Sequence, residues 1–228
     1  MQDASLPSGV GRKFHPDGRV RPFAGNTIVC HTASAAALTD RLGRLHERLR
    51  AARAARLYTL LPPSSWHMTL FDGVTDEVRI PDRWPQDMPL DMPLAEVHRH
   101  FEERLKAEVF GPKLTFSMRA TATGRLRNGI DIRLRPVDAA EEQAIRTLRD
   151  RIAAVLRLRR AAHDTYGFHI TLAYFIAYPG EDEAAELHGL MKEEVQVLEA
   201  SLPPFFVGPP EFCHFNDMFV FNRQFFLR

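Results

Sequence analysis

Cysteine is scarce in this chain: two among 228 residues, Cys30 and Cys213. Nothing in their spacing suggests a disulfide framework or a zinc site, and they read as two buried thiols in a reducing compartment. No run approaches the roughly 20 apolar residues of a membrane span. Residues 1–20 carry no apolar stretch of the kind that a secretory signal needs. These absences predict a soluble, cytoplasmic protein with no membrane partner. Neither sign of charge is in excess: 30 Lys and Arg face 29 Asp and Glu, a formal net charge of +1. No global field then draws the chain along nucleic acid, which argues against duplex DNA as a partner and leaves room for a small pocket holding one phosphate. The Walker and Rossmann glycine patterns are also missing.

What the chain does have is enough apolar residue, 45%, to bury a core. Residues 1–24 are rich in glycine, proline and charge and read as an irregular arm that folds over the surface. GNTIVCH (25–31) is a β-rich run. Leu38, Leu42, Leu45 and Leu49 then fall on one helical face. Residues 76–93 hold four prolines around Trp84 and read as a linker. Leu94, Val97, Phe101 and Leu105 mark a second helix, and 114–136 reads as strands. A third helix begins at a capping-box pattern, Asp138 with Glu141, and carries Ile145, Leu148, Ile152 and Leu156. A fourth covers about 182–200. The phenylalanine-rich tail reads as a hairpin turning at Asn216-Asp217. The basic runs on the helices read as solvated faces.

Two strand-like stretches carry the same polar pair: HMTL at 67–70 and HITL at 169–172. With 10 His, 12 Thr and 24 Leu in the chain, two chance matches to His-x-Thr-Leu are expected on the order of one time in a thousand. The offset of 102 extends upstream, carrying Ile28 onto Ile130 and Cys30 onto Ile132. Each half therefore reads strand, helix, then a strand with His-x-Thr-Leu: a first repeat at about 25–75 and a second at about 114–175, followed by a C-terminal helix and hairpin (182–228). Side chains alternate along a strand. Trp66, Met68 and Leu70 face one way, with Ser65, His67, Thr69 and Phe71 opposite. Phe168, Ile170 and Leu172 oppose His169, Thr171 and Ala173. The apolar faces pack under helices, so the two His/Thr faces converge on a groove between pseudo-symmetric lobes.

Two imidazoles and two hydroxyls suit phosphoryl transfer. One neutral ring takes a proton from the attacking oxygen and one imidazolium returns a proton to the leaving oxygen. The threonine hydroxyls donate to non-bridging oxygens. The paired motifs resemble the two-histidine (2H) phosphoesterase superfamily, which includes bacterial RNA 2′,3′-cyclic phosphodiesterase/ligase-like proteins and cyclic nucleotide phosphodiesterases. RPFAGNTIVCH, LPPSSWHMT and the Tyr-x-Phe-His-Ile-Thr segment resemble an uncharacterised bacterial branch of it. The resemblance implies an α+β, bilobal, pseudo-two-fold duplicated fold spanning 25–228, with antiparallel sheets lining a central groove and helices packed outside. It implies His67 and His169 as catalytic residues and Thr69 and Thr171 on the phosphate. It also implies no metal, and no cofactor is expected. The expected partner is a nucleotide or RNA-terminus substrate, and the expected state is a monomer. The acid and base roles stay open.

Arg133 and His31, related by the same offset, are further phosphate-binding candidates, each weighed against a structural role. Tyr166 and Tyr174 flank the second motif, and alternation sets both opposite His169, in core or rim packing. Three rival readings remain: a binding module holding a nucleotide or RNA end without turnover, a metal hydrolase built on the scattered histidines, and a scaffold.

Overall fold

The computed structural model describes residues 6–123, 126, 128–201 and 203–228. The parts of the arm and strand expectations that fall on 1–5, 124, 125 and 127 lie outside the described residues. Among the described residues there are nine strands: β1 (Gly25–His31), β2 (Tyr58–Leu60), β3 (His67–Thr75), β4 (Phe116–Thr123), β5 (Gly129–Pro136), β6 (His169–Phe175), β7 (Phe205–Val207), β8 (Glu211–Phe215) and β9 (Phe221–Phe226). Four α-helices accompany them: α1 (Ala36–Ala51), α2 (Leu94–Ala107), α3 (Ala139–Leu156) and α4 (Glu181–Ser201).

The sequence reading expects more than one sheet around a groove. The described strands instead form one curled antiparallel sheet in the order β7-β4-β5-β6-β3-β1-β8-β9, with β2 paired to β6. The two strands with the His-x-Thr pairs are thus direct neighbours at its centre, and Met68 pairs with Ile170. Antiparallel strands about 4.8 Å apart bring side chains of one face together with no gap between lobes to cross.

The helices lie where apolar spacing predicts them. Leu38, Leu42, Leu45 and Leu49 of α1, Val97, Phe101 and Leu105 of α2, and Ile145, Leu148, Ile152 and Leu156 of α3 are all buried. Asp138 caps α3, its side chain accepting from the Glu141 N–H at 2.9 Å. Trp84 is buried, and its indole donates to the Pro89 carbonyl, so the 76–93 segment packs. The basic run on α1 is not simply solvated. Arg41 donates to the buried Glu194 of α4 at 2.7 Å, and Arg48 bonds both Glu193 and Glu194. An ion-pair seam joins two helices that periodicity treats separately.

Strand alternation breaks at matching places in the two central strands, and β3 has a second irregularity between Asp72 and Thr75. Between β1 and β3, Ile28 opposes Phe71 while Val29 opposes Thr69, which leaves Leu70 as an extra residue. Between β5 and β6, Ile130 opposes Ala173 while Asp131 opposes Thr171, which leaves Leu172 extra. A bulge of this kind reverses the facing of the residues that directly follow it. Phe71, expected beside His67, is buried, and Asp72 takes its place on the His67 face. Tyr174, expected opposite His169, joins His169 and Thr171 on one face.

Candidate active site

His67 opens β3 and His169 opens β6, and each is held in the same way. Nδ1 of His67 lies 2.7 Å from the Ser65 carbonyl, and Nδ1 of His169 lies 3.0 Å from the Gly167 carbonyl. A carbonyl only accepts, so Nδ1 donates in both rings and Nε2 is left for other chemistry. The turns that begin the two strands thereby set both tautomers.

The two rings line one cavity of about 360 Å³ together with Thr69, Thr171, Tyr166, Tyr174 and Asp72. All four residues of the paired motifs are therefore gathered in one place. Phe221 of β9 packs edge-on against His67, with ring centroids 4.2 Å apart. Burial pushes the His67 pKa down to about 3, and the neighbouring His31, His169 and Lys13 act in the same direction. His67 is therefore a neutral imidazole near pH 7.

Arg133 and His31 do not line the cavity. Arg133 pairs with His169 across the β5–β6 ladder, and its guanidinium lies 3.0 Å from the Asp131 carboxylate. His31 pairs with His67 across β1–β3, and its Nδ1 lies 3.1 Å from the buried Glu211. The His31 ring reaches His67 edge-on, with 6.0 Å between centroids.

Several cavity residues escape a reading by motif. Tyr166 shares a hydrogen bond with Thr69, and burial raises its pKa, so the phenol stays protonated. Its ring lies beneath the Arg149 guanidinium, 4.4 Å from centroid to Cζ. Arg149 is itself buried, donating to the carbonyls of Leu70 and His163. The carbonyl that the first bulge frees from its ladder is thus bonded by an arginine of α3. Lys13 and Arg12 reach the cavity from the arm, far from either motif in sequence. Gly73 lines the cavity where a Cβ would collide with the Asn26 backbone.

Two clusters of potential metal ligands occur among the described residues: His31 with Glu211 and Cys213, and Asp150 with His163 and Asp164. Neither includes His67 or His169. The stacked rings of His98 and His214, with centroids 3.8 Å apart, lie where α2 meets β8 and line no part of the cavity.

A model described as "2H-phosphodiest: Domain of unknown function (DUF1868)" matches residues 13–127. The chain belongs to the 2H phosphodiesterase family. The matched segment of this family member holds His67 and Thr69, and the second pair lies beyond it. A crystal structure of a conserved protein of unknown function from Agrobacterium tumefaciens str. C58 is similar along nearly the whole length. Identity is 30%, the match covers 97% of this chain and 93% of the other, and the TM-score is 0.89. No curated protein matches the sequence. Membership places this chain with the phosphoesterases, as the family name states. No helix among its described residues is long and apolar enough to cross a membrane.

Proposed function

We propose that the protein is a phosphoesterase that uses no metal and opens a cyclic phosphate, or cleaves a phosphodiester, of a nucleotide or RNA end. One observation carries this reading: two histidines on adjacent strands with the same Nδ1 anchor, each followed by a threonine on the same cavity face. The reading treats residues 25–228 as one bilobal unit made by duplication. The strand order supports that, because β6 and β5 mirror β3 and β1 about the sheet centre, and the bulges at Leu70 and Leu172 keep the 102-residue offset.

In this mechanism Nε2 of the neutral His67 takes a proton from water as the water oxygen attacks phosphorus. The bond from phosphorus to one ribose oxygen breaks. His169 enters the step as an imidazolium and gives its Nε2 proton to that oxygen, leaving a phosphomonoester and a neutral ring. Each proton transfer supplies roughly 10²–10⁴-fold. Thr69 and Thr171 donate to non-bridging oxygens whose charge grows along the path. Burial favours His67 as the base because it keeps that ring unprotonated. A cavity of about 360 Å³ lies at the small end of ligand sites, which favours a single nucleotide over a strand.

The test is incubation with 2′,3′-cyclic nucleotides in EDTA. Turnover should persist with chelator and fall by at least about 10²-fold in His67→Ala and in His169→Ala. Tight binding with no product in the unaltered protein would instead make the chain a nucleotide-binding module.

A further inference from the structure

The arm before β1 is pinned along the cavity, where Arg12, Lys13 and Phe23 are among the lining residues. Phe14 is fully buried, with its ring 5.4 Å from Tyr174 and 6.1 Å from Phe219. Thr59 of β2 donates to the Gly18 carbonyl at 2.8 Å, in a turn where Gly18 takes a φ of 85° that side chains resist. On the other side, the Phe23 N–H donates to the Asn216 carbonyl at 2.7 Å and the Asp76 N–H to the Ala24 carbonyl at 2.9 Å. Arg12 reaches Glu77 at 3.0 Å. These ties hold residues 12–24 as a strap between the β2–β6 side and the β3–β8 side.

Lys13 sits next to the Phe14 anchor, so its position follows from that burial. Its ammonium donates to the Tyr174 hydroxyl at 3.1 Å. It also lies 4.4 Å from the Tyr174 ring centroid and 5.3 Å from that of Phe23. Among the described residues no carboxylate stands within ion-pair distance of it. The other cations lining the cavity are placed differently. Arg12 is paired with Glu77, Arg160 faces Asp72 at 3.6 Å, and Arg83 is exposed. A half-buried ammonium with only aromatic faces and a phenol as partners lacks a counter-charge. Its positive field is felt at His67.

We propose that Lys13 is the phosphate-binding cation of this site, taking a non-bridging oxygen of the anion that the His-x-Thr pairs engage. The inference rests on the phosphoesterase reading for the identity of that anion. The strap then completes the site, since neither central strand places a cation of its own beside the histidines without a carboxylate partner.

The experiment is calorimetric binding of inorganic phosphate to the full chain and to Lys13→Met, Lys13→Gln and Lys13→Arg. KM and kcat for a 2′,3′-cyclic nucleotide and the unfolding midpoint are measured alongside. Loss of one charge-assisted hydrogen bond predicts phosphate affinity weakened roughly 10- to 100-fold in the Met and Gln variants. Lys13→Arg should recover most of it, and the midpoint should stay near that of the unaltered protein because Phe14 is kept. Folded Met or Gln variants that bind phosphate as tightly as the unaltered chain would overturn the proposal, and so would an unaltered chain that binds no phosphate. Lys13-dependent phosphate binding without any turnover would leave the role of Lys13 standing and defeat the esterase reading alone.

Discussion

Leu70 and Leu172 are corresponding bulged residues of the two central strands, 102 positions apart, as His67 and His169 are. Each bulge lies three residues after its histidine. Beyond it the facing reverses, so Asp72 follows His67 and Thr69 into the cavity, and Tyr174 follows His169 and Thr171. The same local device thus supplies two different side chains to one site. Asp72 brings a negative charge and Tyr174 a phenol that holds Lys13.

The threonine hydroxyls are predicted to act in the reaction and to matter little for folding. Thr69→Val and Thr171→Val keep shape and β-branching. Each should lower kcat by roughly 10²-fold with a near-unchanged unfolding midpoint. Steady-state kinetics on 2′,3′-cyclic nucleotides checks this, and losses below about threefold in both would remove the hydroxyls from the phosphate.

Arg149 is predicted to hold the first bulge and Tyr166 in place. Arg149→Met leaves the carbonyls of Leu70 and His163 without their donors and frees the Tyr166 ring. Stability should fall by about 3 kcal/mol, the scale of one or two buried hydrogen bonds to a charged group. Arg149→Lys should not rescue it, because one ammonium does not span both carbonyls with the planar fork of a guanidinium. Denaturant titration of both variants, with kcat measured at low temperature where they stay folded, gives the two readouts.

Acid should unfold the protein through its buried and half-buried histidines. Burial lowers the pKa of His67 to about 3 and of His98 to about 4, and it lowers His163 and His214 as well. Each folded-state pKa lies below the ordinary value near 6.5, so the unfolded chain takes up protons first. Stability is full above about pH 6.5 and drains away as pH falls toward the folded-state values. His98 faces His214, with Glu102 and Asp76 only partly offsetting its burial. Its share of the loss grows as pH falls from 6.5 toward 4. His98→Leu should flatten the fall in unfolding midpoint between pH 6.5 and 4. A variant that falls as steeply as the unaltered chain would show that the stacked pair plays no part.

Much of this architecture was legible without coordinates. The leucine stripe of α1, the Asp138 cap of α3 and the alternation of Ile130, Ile132 and Leu134 are local patterns, set by the periods of helix and strand. The pairing of His67 with Thr69, and of His169 with Thr171, on one strand face is equally local, since residues two apart share a face. The duplicated motif marks four residues that the fold gathers along one cavity.

The folded chain alone decided the rest. That both motifs lie side by side on neighbouring strands of one sheet depends on which strands pair, which side-chain alternation leaves free. The bulges at Leu70 and Leu172 arise from a mismatch with the partner strand and leave no mark within β3 or β6 themselves. Lys13 is more than 50 residues from His67 and reaches the cavity because Phe14 finds a buried place between Tyr174 and Phe219. Short-range periodicity determined the elements and their faces, and long-range packing decided which distant charges and rings share the cavity, because burial is a property of the whole fold.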